Sequence, residues 1–528
     1  MGPDWPGQTL GAQMNGAESL VKTLLASGVD VCFANPGTSE MHFVAALDDH
    51  PQMRCILCLF EGGTSGAADG YFRMSRRVAA TLLHLAPGFG NAFANLHNAR
   101  KAQSGLVNVM GEHATYHLRH ESPLKGDTAG ISHSISHWTR TSADAAQVAT
   151  DGAAAVQAAR SLNGQIATLI LPANTAWERG GAPATAAPPP ALRLPSPAQI
   201  TAALAALRQP GAALMVDGPA LYDDATAQLA ARIAAATGAR LMAPFFAARA
   251  RRGAGSLRMA RLAYEVDLNS AILADVKTLV LCGAQRPTAF FAYPGKPSLP
   301  EAPGTAVLEL ADITMDIPAT LSAMADAIGP LPHLAPDARQ PLALPALPTG
   351  ALTLEKVGAT IAHLMPENTV VVNEAITSGA PVAGPLQTAR GHDWLVTMGG
   401  AIGAGLPTAV GAAVACPDRK VLCLSGDGSA MYTLQSLWTM ARENLDICTV
   451  IFANDTYRIL HGELLNVGAT PGRNVARMFD MVEPTLDWVA LAQGHGVQAV
   501  RVETADGFNT AFAEAMEAKG PRLIVVPC

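Results

Sequence analysis

Short, uninterrupted apolar runs recur along the whole chain, each separated from the next by a longer, Ala-rich stretch with helical spacing. Val31-Cys-Phe-Ala34, Cys55-Ile-Leu-Cys-Leu-Phe60, Ala79-Ala-Thr-Leu-Leu-His84 and Ala167-Thr-Leu-Ile-Leu-Pro172 lie in the first third. Ala213-Leu-Met-Val-Asp217 and Thr278-Leu-Val-Leu-Cys-Gly283 lie in the middle, and Val370-Val-Val-Asn373, Lys420-Val-Leu-Cys-Leu-Ser425, Cys448-Thr-Val-Ile-Phe-Ala453 and Arg522-Leu-Ile-Val-Val526 in the last third. Continuous rather than alternating apolarity marks strands buried on both faces, as in parallel sheets covered by helices on each side. The expected fold class is α/β, with doubly wound parallel sheets. In such sheets ligands bind beyond the carboxyl ends of the strands. Attention therefore falls on the residues just after them: Asn35-Pro-Gly-Thr-Ser39, Glu61, His84, Asn373-Glu374, Gly426-Asp-Gly-Ser429 and Asn454.

Two proline-rich stretches, Gly180–Pro197 and Gly329–Pro348, interrupt this alternation. Proline removes backbone donors and favours extended chain, so neither suits a core helix or a central strand. The expected domains are 14–180, 198–330 and 350–528, with 1–13 a loose, disordered tail. That tail has no basic residue followed by an apolar core, as a signal peptide requires. Nowhere does an apolar run reach the length of a membrane span, so no membrane partner is expected.

Lys plus Arg number 36 and Asp plus Glu 43, a net charge of −7 with no basic stripe, which argues against nucleic acid as a partner. Charged residues make up only 15% of the chain. Either other subunits cover much of its surface, or its composition is simply Ala-heavy. Most of the eight cysteines sit inside apolar runs, the pattern of buried thiols in a reducing, cytoplasmic compartment. Cys55 and Cys58 form a lone CxxC on an expected strand, Met53–Phe60, where positions three apart face opposite sides. Neither a metal nor a redox role is expected of them.

The segment Leu424-Ser-Gly-Asp-Gly-Ser-Ala-Met-Tyr-Thr433, followed by Val450-Ile-Phe-Ala-Asn-Asp-Thr-Tyr457, carries the most chemistry. Gly426 and Gly428 let backbone approach a ligand on either side of Asp427. Ser429 is expected to open a helix whose free N–H groups suit phosphate. In a right-handed β-α-β unit, Asp427 and Asn454 converge at neighbouring strand ends, and both are hard oxygen ligands of the kind that share Mg2+ with phosphates. By itself this describes a phosphate-binding α/β loop. The full pattern, Gly-Asp-Gly and then Asn twenty-odd residues later with strands on both sides, resembles the signature of thiamine diphosphate-dependent enzymes of the acetolactate synthase, pyruvate decarboxylase and benzoylformate decarboxylase superfamily.

The resemblance extends to Phe60-Glu-Gly-Gly-Thr-Ser-Gly-Ala-Ala-Asp-Gly-Tyr-Phe-Arg73 and to Thr397-Met-Gly-Gly-Ala-Ile-Gly-Ala-Gly-Leu-Pro407. It implies three doubly wound domains: pyrimidine-binding, central and diphosphate-binding. It also implies that Asp427, Asn454 and the carbonyl of Thr456 hold Mg2+, and that Thr377, Gly426, Gly428, Ser429 and Tyr457 bind the diphosphate. Ile402 then wedges the cofactor into a bent shape. Glu61 hydrogen-bonds N1′ of the pyrimidine, so that the cofactor forms its C2 ylide and later an enamine. In this family the cofactor lies between subunits, which implies a homodimer at minimum and, as the common assembly, a homotetramer.

On the substrate side the resemblance is to benzoylformate decarboxylase. Thr38 stands at a catalytic serine position and His84 at a catalytic histidine. Phe290 replaces a second histidine and removes one proton-transfer group. His113 and His117, four apart, are expected to share a helix face and, with His120, to line the pocket or relay protons. His461 is a further pocket candidate. The glycine-rich segments that hold FAD in acetolactate synthases are not evident, so FAD is not expected. The implied function is a 2-oxo acid decarboxylase or carboligase lyase acting on a small 2-oxo acid or aldehyde. An acetolactate synthase-like transferase is the alternative, and a non-catalytic thiamine diphosphate-binding protein a remote one. No Gly-x-Gly-x-x-Gly opens a β-α unit with an acidic residue about twenty positions on, which argues against a nicotinamide dehydrogenase.

Overall fold

The structure, a computed structural model, describes residues 14–528; the expected loose tail at 1–13 lies outside the described residues. The chain has three parallel-sheet α/β domains and divides into two compact units, one built from residues 14–68, 76–100 and 104–189 and the other from 69–75, 101–103 and 190–528.

The first unit carries β1 (Val31–Ala34), β2 (Arg54–Leu57), β3 (Ala79–Leu83), β4 (Leu106–Glu112), β5 (Trp138–Thr141) and β6 (Ile166–Pro172), all parallel, in the order β2-β1-β3-β4-β6-β5. Every residue of β1, β3, β4 and β6 is buried, as continuous apolarity predicts. Between β4 and its neighbours, Asn108 is satisfied inside the sheet. It accepts from Thr81 Oγ1 at 2.7 Å and donates to Thr168 Oγ1 at 2.9 Å, so a polar residue sits in a central strand without an unmet bond.

The second unit contains two sheets. The first combines β7 (Ala212–Val216), β8 (Arg240–Ala243), β10 (Ala260–Arg261), β11 (Thr278–Cys282) and β12 (Ala306–Ala311), in the order β10-β8-β7-β11-β12. The short β9 (Ala250–Arg252) leaves it to pair antiparallel with a strand of the second sheet. That sheet holds β13 (Val370–Glu374), β14 (His392–Val396), β15 (Val421–Gly426), β16 (Ile447–Ala453), β17 (Gln498–Arg501) and β18 (Arg522–Pro527), in the order β17-β18-β16-β15-β13-β14-β9. Leu422, Leu424, Val450, Phe452 and Ile524 form the centre of its core, each such side chain contributing roughly 1.5–3 kcal/mol by burial. Arg249 Nε and Arg419 Nη2 hold the two oxygens of buried Asp393 at 2.8 and 2.5 Å, which pins β14 beside β9.

Some local expectations change. The strand near the CxxC is only β2, Arg54–Leu57, and it is an edge strand rather than a buried one, with Arg54 and Cys55 exposed. Cys58 is buried but lies past its end, where its N–H donates to Ala34 O at 2.9 Å. The helix after β15 starts at Asp427, not Ser429, with Gly426 as its N-cap. Among the described residues no helix is long and apolar enough to cross a membrane. Residues 180–196 form no helix or strand, nor do residues 329–348 apart from one isolated bridge at Arg339.

Candidate active site

In the first unit, β1 and β3 are neighbours with Ala34 beside Leu82, so the turn after β1 adjoins His84 after β3. The turn passes close to the imidazole: a Cβ on Gly37 would stand 1.9 Å from His84 Nδ1. Glu40, which ends this turn, is buried, and its Oε2 lies 3.0 Å from His84 Nδ1 and accepts from Gly37 N at 2.8 Å. Its other oxygen accepts from Ser39 Oγ. A carboxylate on Nδ1 fixes the ring and leaves Nε2 as the exchangeable position. Thr38 is exposed at the first position of the turn Thr38–Glu40; the hydroxyl nearest the ring, 3.4 Å from Nδ1, is that of Ser39.

Glu61 is the first residue of the helix Glu61–Ser75, only 6% exposed. The helix dipole favours a carboxylate there. Asn91 Nδ2 donates to its Oε2 at 3.0 Å. A Cβ on Gly88 would fall 2.9 Å from Glu61 Oε1 and 3.2 Å from His84 Cβ, so the two side chains flank one glycine.

The loop after β4 brings His113, His117 and His120 together as a row of tilted rings, with centroids 5.6 and 5.5 Å apart. Here the expected helix face is replaced by a chain of turns. Asn174 Oδ1 takes the N–H of Thr115 at 2.9 Å, and the turns close three residues back, His117 N to Ala114 O and His120 N to His117 O. Four-residue spacing is met without a helix. His113 Nε2 sits 3.1 Å from Ser122 Oγ. Among the described residues no group of three or more His, Cys, Asp or Glu is arranged to hold a metal.

In the second unit, β15 and β16 run side by side with Gly426 beside Phe452, which brings the residues after each strand together. Asp427, 2% exposed, accepts from Gly428 N at 2.8 Å and from Asp455 N at 2.7 Å. Burial and the Asp455 carboxylate push its carboxyl above the usual range, while these backbone donors pull the other way. Two neighbouring carboxylates of this kind suit a cation. Asn454 Oδ1 accepts from Thr456 N at 3.1 Å, and the Thr456 hydroxyl donates to Asp480 Oδ1 at 2.7 Å. His461 Nε2 is 3.1 Å from the same hydroxyl.

A Cβ on Gly428 would lie 2.5 Å from Tyr457 Cε1, so ring and loop pack directly. Above Gly426 the nearest atom to such a Cβ is Ser429 Oγ at 3.9 Å, leaving the turn open to a ligand. An open glycine turn at a helix start, beside carboxylate, amide and carbonyl oxygens, fits a diphosphate shared with a small hard cation.

Thr377 lies in the turn Ile376–Ser378 that follows β13. Glu374, fully buried at the end of β13, accepts from Ala404 N at 2.9 Å, Gly405 N at 2.8 Å and Thr397 Oγ1 at 3.2 Å. It thereby holds both ends of the loop that bears Ile402. Phe290 reaches the same loop: a Cβ on Gly400, whose φ is +72, would be 2.6 Å from Phe290 Cζ. Phe290 belongs to an aromatic group with Phe246, Tyr264 and Phe291, at centroid separations of 4.8 to 5.8 Å.

Comparison with known proteins covers nearly the whole chain. Residues 14–134 match the thiamine pyrophosphate enzyme N-terminal TPP binding domain and residues 381–526 the C-terminal TPP binding domain. The chain is 48% identical over 518 residues, 97% of its length and 99% of the relative's, to "Putative acetolactate synthase large subunit IlvX" of Mycobacterium tuberculosis. It is 29% identical over 530 residues to benzoylformate decarboxylase of Pseudomonas aeruginosa, covering 95% of this chain and 96% of that one. Among solved structures, the thiamine diphosphate-dependent 4-hydroxybenzoylformate decarboxylase of Rhodococcus jostii RHA1 superimposes with a TM-score of 0.79 at 25% identity, covering 97% of this chain and 99% of that one. The chain therefore belongs to the thiamine pyrophosphate enzyme family and is a thiamine diphosphate-dependent enzyme of the decarboxylase and acetolactate synthase type.

Proposed function

We propose that the protein is a Mg2+- and thiamine diphosphate-dependent 2-oxo acid decarboxylase, a lyase that releases CO2 and an aldehyde. The observation that carries this reading is the buried Glu61 carboxylate, held at one oxygen by Asn91 with the other facing Gly88. Thiamine diphosphate, when bound, supplies a nucleophilic thiazolium carbon and a sink for the electrons that the departing carboxylate leaves behind.

The chain's own residues do the rest. When bound, Mg2+ would be held by Asp427, Asn454 and the Thr456 carbonyl, and the diphosphate by Gly426, Gly428, Ser429, Thr377 and Tyr457, with Ile402 supporting the cofactor. Glu61 shares a proton with N1′ of the pyrimidine. His84 moves a proton at Nε2, because Nδ1 is committed to Glu40. Thr38 receives the substrate carboxylate, and His113, His117, His120, Phe290 and His461 border the substrate. The working unit is a homodimer at minimum, with a homotetramer the expected assembly, in a cytoplasmic setting.

An acetolactate synthase-like carboligase is the second reading. It is supported by the 48% identity to a relative bearing that name. Incubating the protein with thiamine diphosphate, Mg2+ and a panel of 2-oxo acids, and measuring CO2 and product, separates the two. Free aldehyde supports the decarboxylase, a 2-hydroxy-3-oxo acid supports the carboligase, and no turnover of any 2-oxo acid contradicts both.

A further inference from the structure

The helix Arg458–Asn466 starts directly after Tyr457 and contains no fully buried residue; Ile459 and Leu464 are half-buried and His461 packs edge-on against Phe479, so apolar packing holds it only in part. Polar fastenings add to this. Glu463 lies in the second turn of the helix and receives two phenols from loops of the preceding sheet. Tyr293 donates its hydroxyl to Oε2 at 2.7 Å and Tyr264 to Oε1 at 3.3 Å. Lys296 adds a contact to Asn466 Oδ1 at 3.4 Å and is itself held by Asp267 at 2.8 Å. The ring of Tyr264 lies 5.2 Å from that of Phe290, which in turn abuts Gly400, two residues before Ile402. One carboxylate thus ties together the helix that follows the metal-side segment and the aromatic wall beside the Ile402 loop.

We propose that Glu463 is a positioning residue: through Tyr264 and Tyr293 it latches the helix Arg458–Asn466 to the aromatic wall containing Phe290 and so fixes the width of the substrate side. The proposal rests on the reading that this helix and Phe290 border the substrate. Hydrogen bonds from neutral donors to a charged acceptor are stronger than neutral pairs. The donors stay protonated throughout the physiological range, because burial and Glu463 raise the Tyr264 hydroxyl well above its ordinary value and push that of Tyr293 up to about 12.

The test compares full-length Glu463→Ala, Glu463→Gln and Tyr293→Phe with the parent. In Glu463→Ala, hydrogen exchange of residues 458–466 is expected to accelerate about tenfold while β15 and β16 keep their protection. The KM for the best 2-oxo acid is expected to rise about tenfold with kcat within about twofold. Glu463→Gln, which keeps one accepting oxygen but loses the second and the charge, recovers part of both effects, and Tyr293→Phe shows a partial loss. Unchanged exchange and KM in Glu463→Ala overturns the latch. So does loss of protection spread equally over β15 and β16, which marks a general structural role. If Glu463→Ala does not fold, Tyr293→Phe, which removes one hydroxyl alone, decides on the same two readouts. If no 2-oxo acid is turned over, the functional reading fails, while the exchange experiment still reports on the latch.

Discussion

The Nδ1 atom of His84 lies 3.0 Å from Oε2 of Glu40, a side chain buried beneath the turn that follows β1. With one ring nitrogen held, the other is oriented for proton transfer. His84→Ala is expected to lower kcat for CO2 release by about 10²- to 10⁴-fold, the usual contribution of a positioned acid-base group. Glu40→Gln, which keeps the size but weakens the hold, is expected to cost about tenfold. Steady-state kinetics beside thermal midpoints checks this; undiminished kcat in both variants removes His84 from the chemistry.

Gly426 and Gly428 flank the same aspartate but meet different surroundings. In Gly428→Ala the new methyl lands 2.5 Å from the Tyr457 ring, an overlap of the kind that costs about 1–3 kcal/mol. Gly426→Ala meets only Ser429 Oγ at 3.9 Å. Calorimetry of the cofactor-free protein is expected to show a lowered midpoint for Gly428→Ala and almost none for Gly426→Ala. Titration with thiamine diphosphate and Mg2+ is expected to show weaker binding for both.

Gly400 and Phe290 are coupled by contact. Gly400→Ala forces a methyl to 2.6 Å from Phe290 Cζ at a backbone φ of +72. The backbone component costs about 1–2 kcal/mol whatever the neighbour, and the overlap adds to it. Phe290→Ala is expected to relieve the overlap but not the backbone cost, giving a favourable coupling in a double-mutant cycle of thermal unfolding. Strict additivity refutes the contact.

His392 is fully buried at the start of β14, with Nδ1 donating to Arg390 O at 2.9 Å and Nε2 without a partner. Burial, reinforced by Arg252 and Arg251, lowers its pKa to about 4. A histidine depressed in the folded state favours the unfolded chain once protonated. Its contribution is therefore intact above the ordinary histidine value of about 6.5 and is lost as pH falls toward 4, by roughly 3 kcal/mol in total. His392→Asn is expected to flatten the fall in unfolding free energy across that window; an unchanged slope contradicts it.

The strand ends were legible because parallel, doubly covered strands announce themselves as apolar runs, so Glu61, His84, Asp427 and Asn454 are recognisable by position alone. What was hidden depends on partners distant in sequence. Glu40 reads as a solvated turn charge until His84 is beside it, and Glu374 as a strand end until it captures the 404–405 amides. Asn91 and Glu463 carried no signal of their own. The strand β14 opens with His392-Asp393, which looks unlike a buried strand because its charge is neutralised by Arg249 and Arg419 from elsewhere. The strands β5 and β17 lie at sheet edges and are only partly covered, so their apolar pattern is weak, whereas the apolar run at β2 belongs to an edge strand with Arg54 and Cys55 exposed.

The most direct test is deuterium exchange at C2 of thiamine diphosphate bound to Glu61→Gln. The variant is expected to retain cofactor and Mg2+ while exchange slows by at least about 10²-fold, because the glutamine cannot take part in proton sharing at N1′. Exchange as fast as in the parent protein, with the cofactor bound, contradicts the role assigned to Glu61.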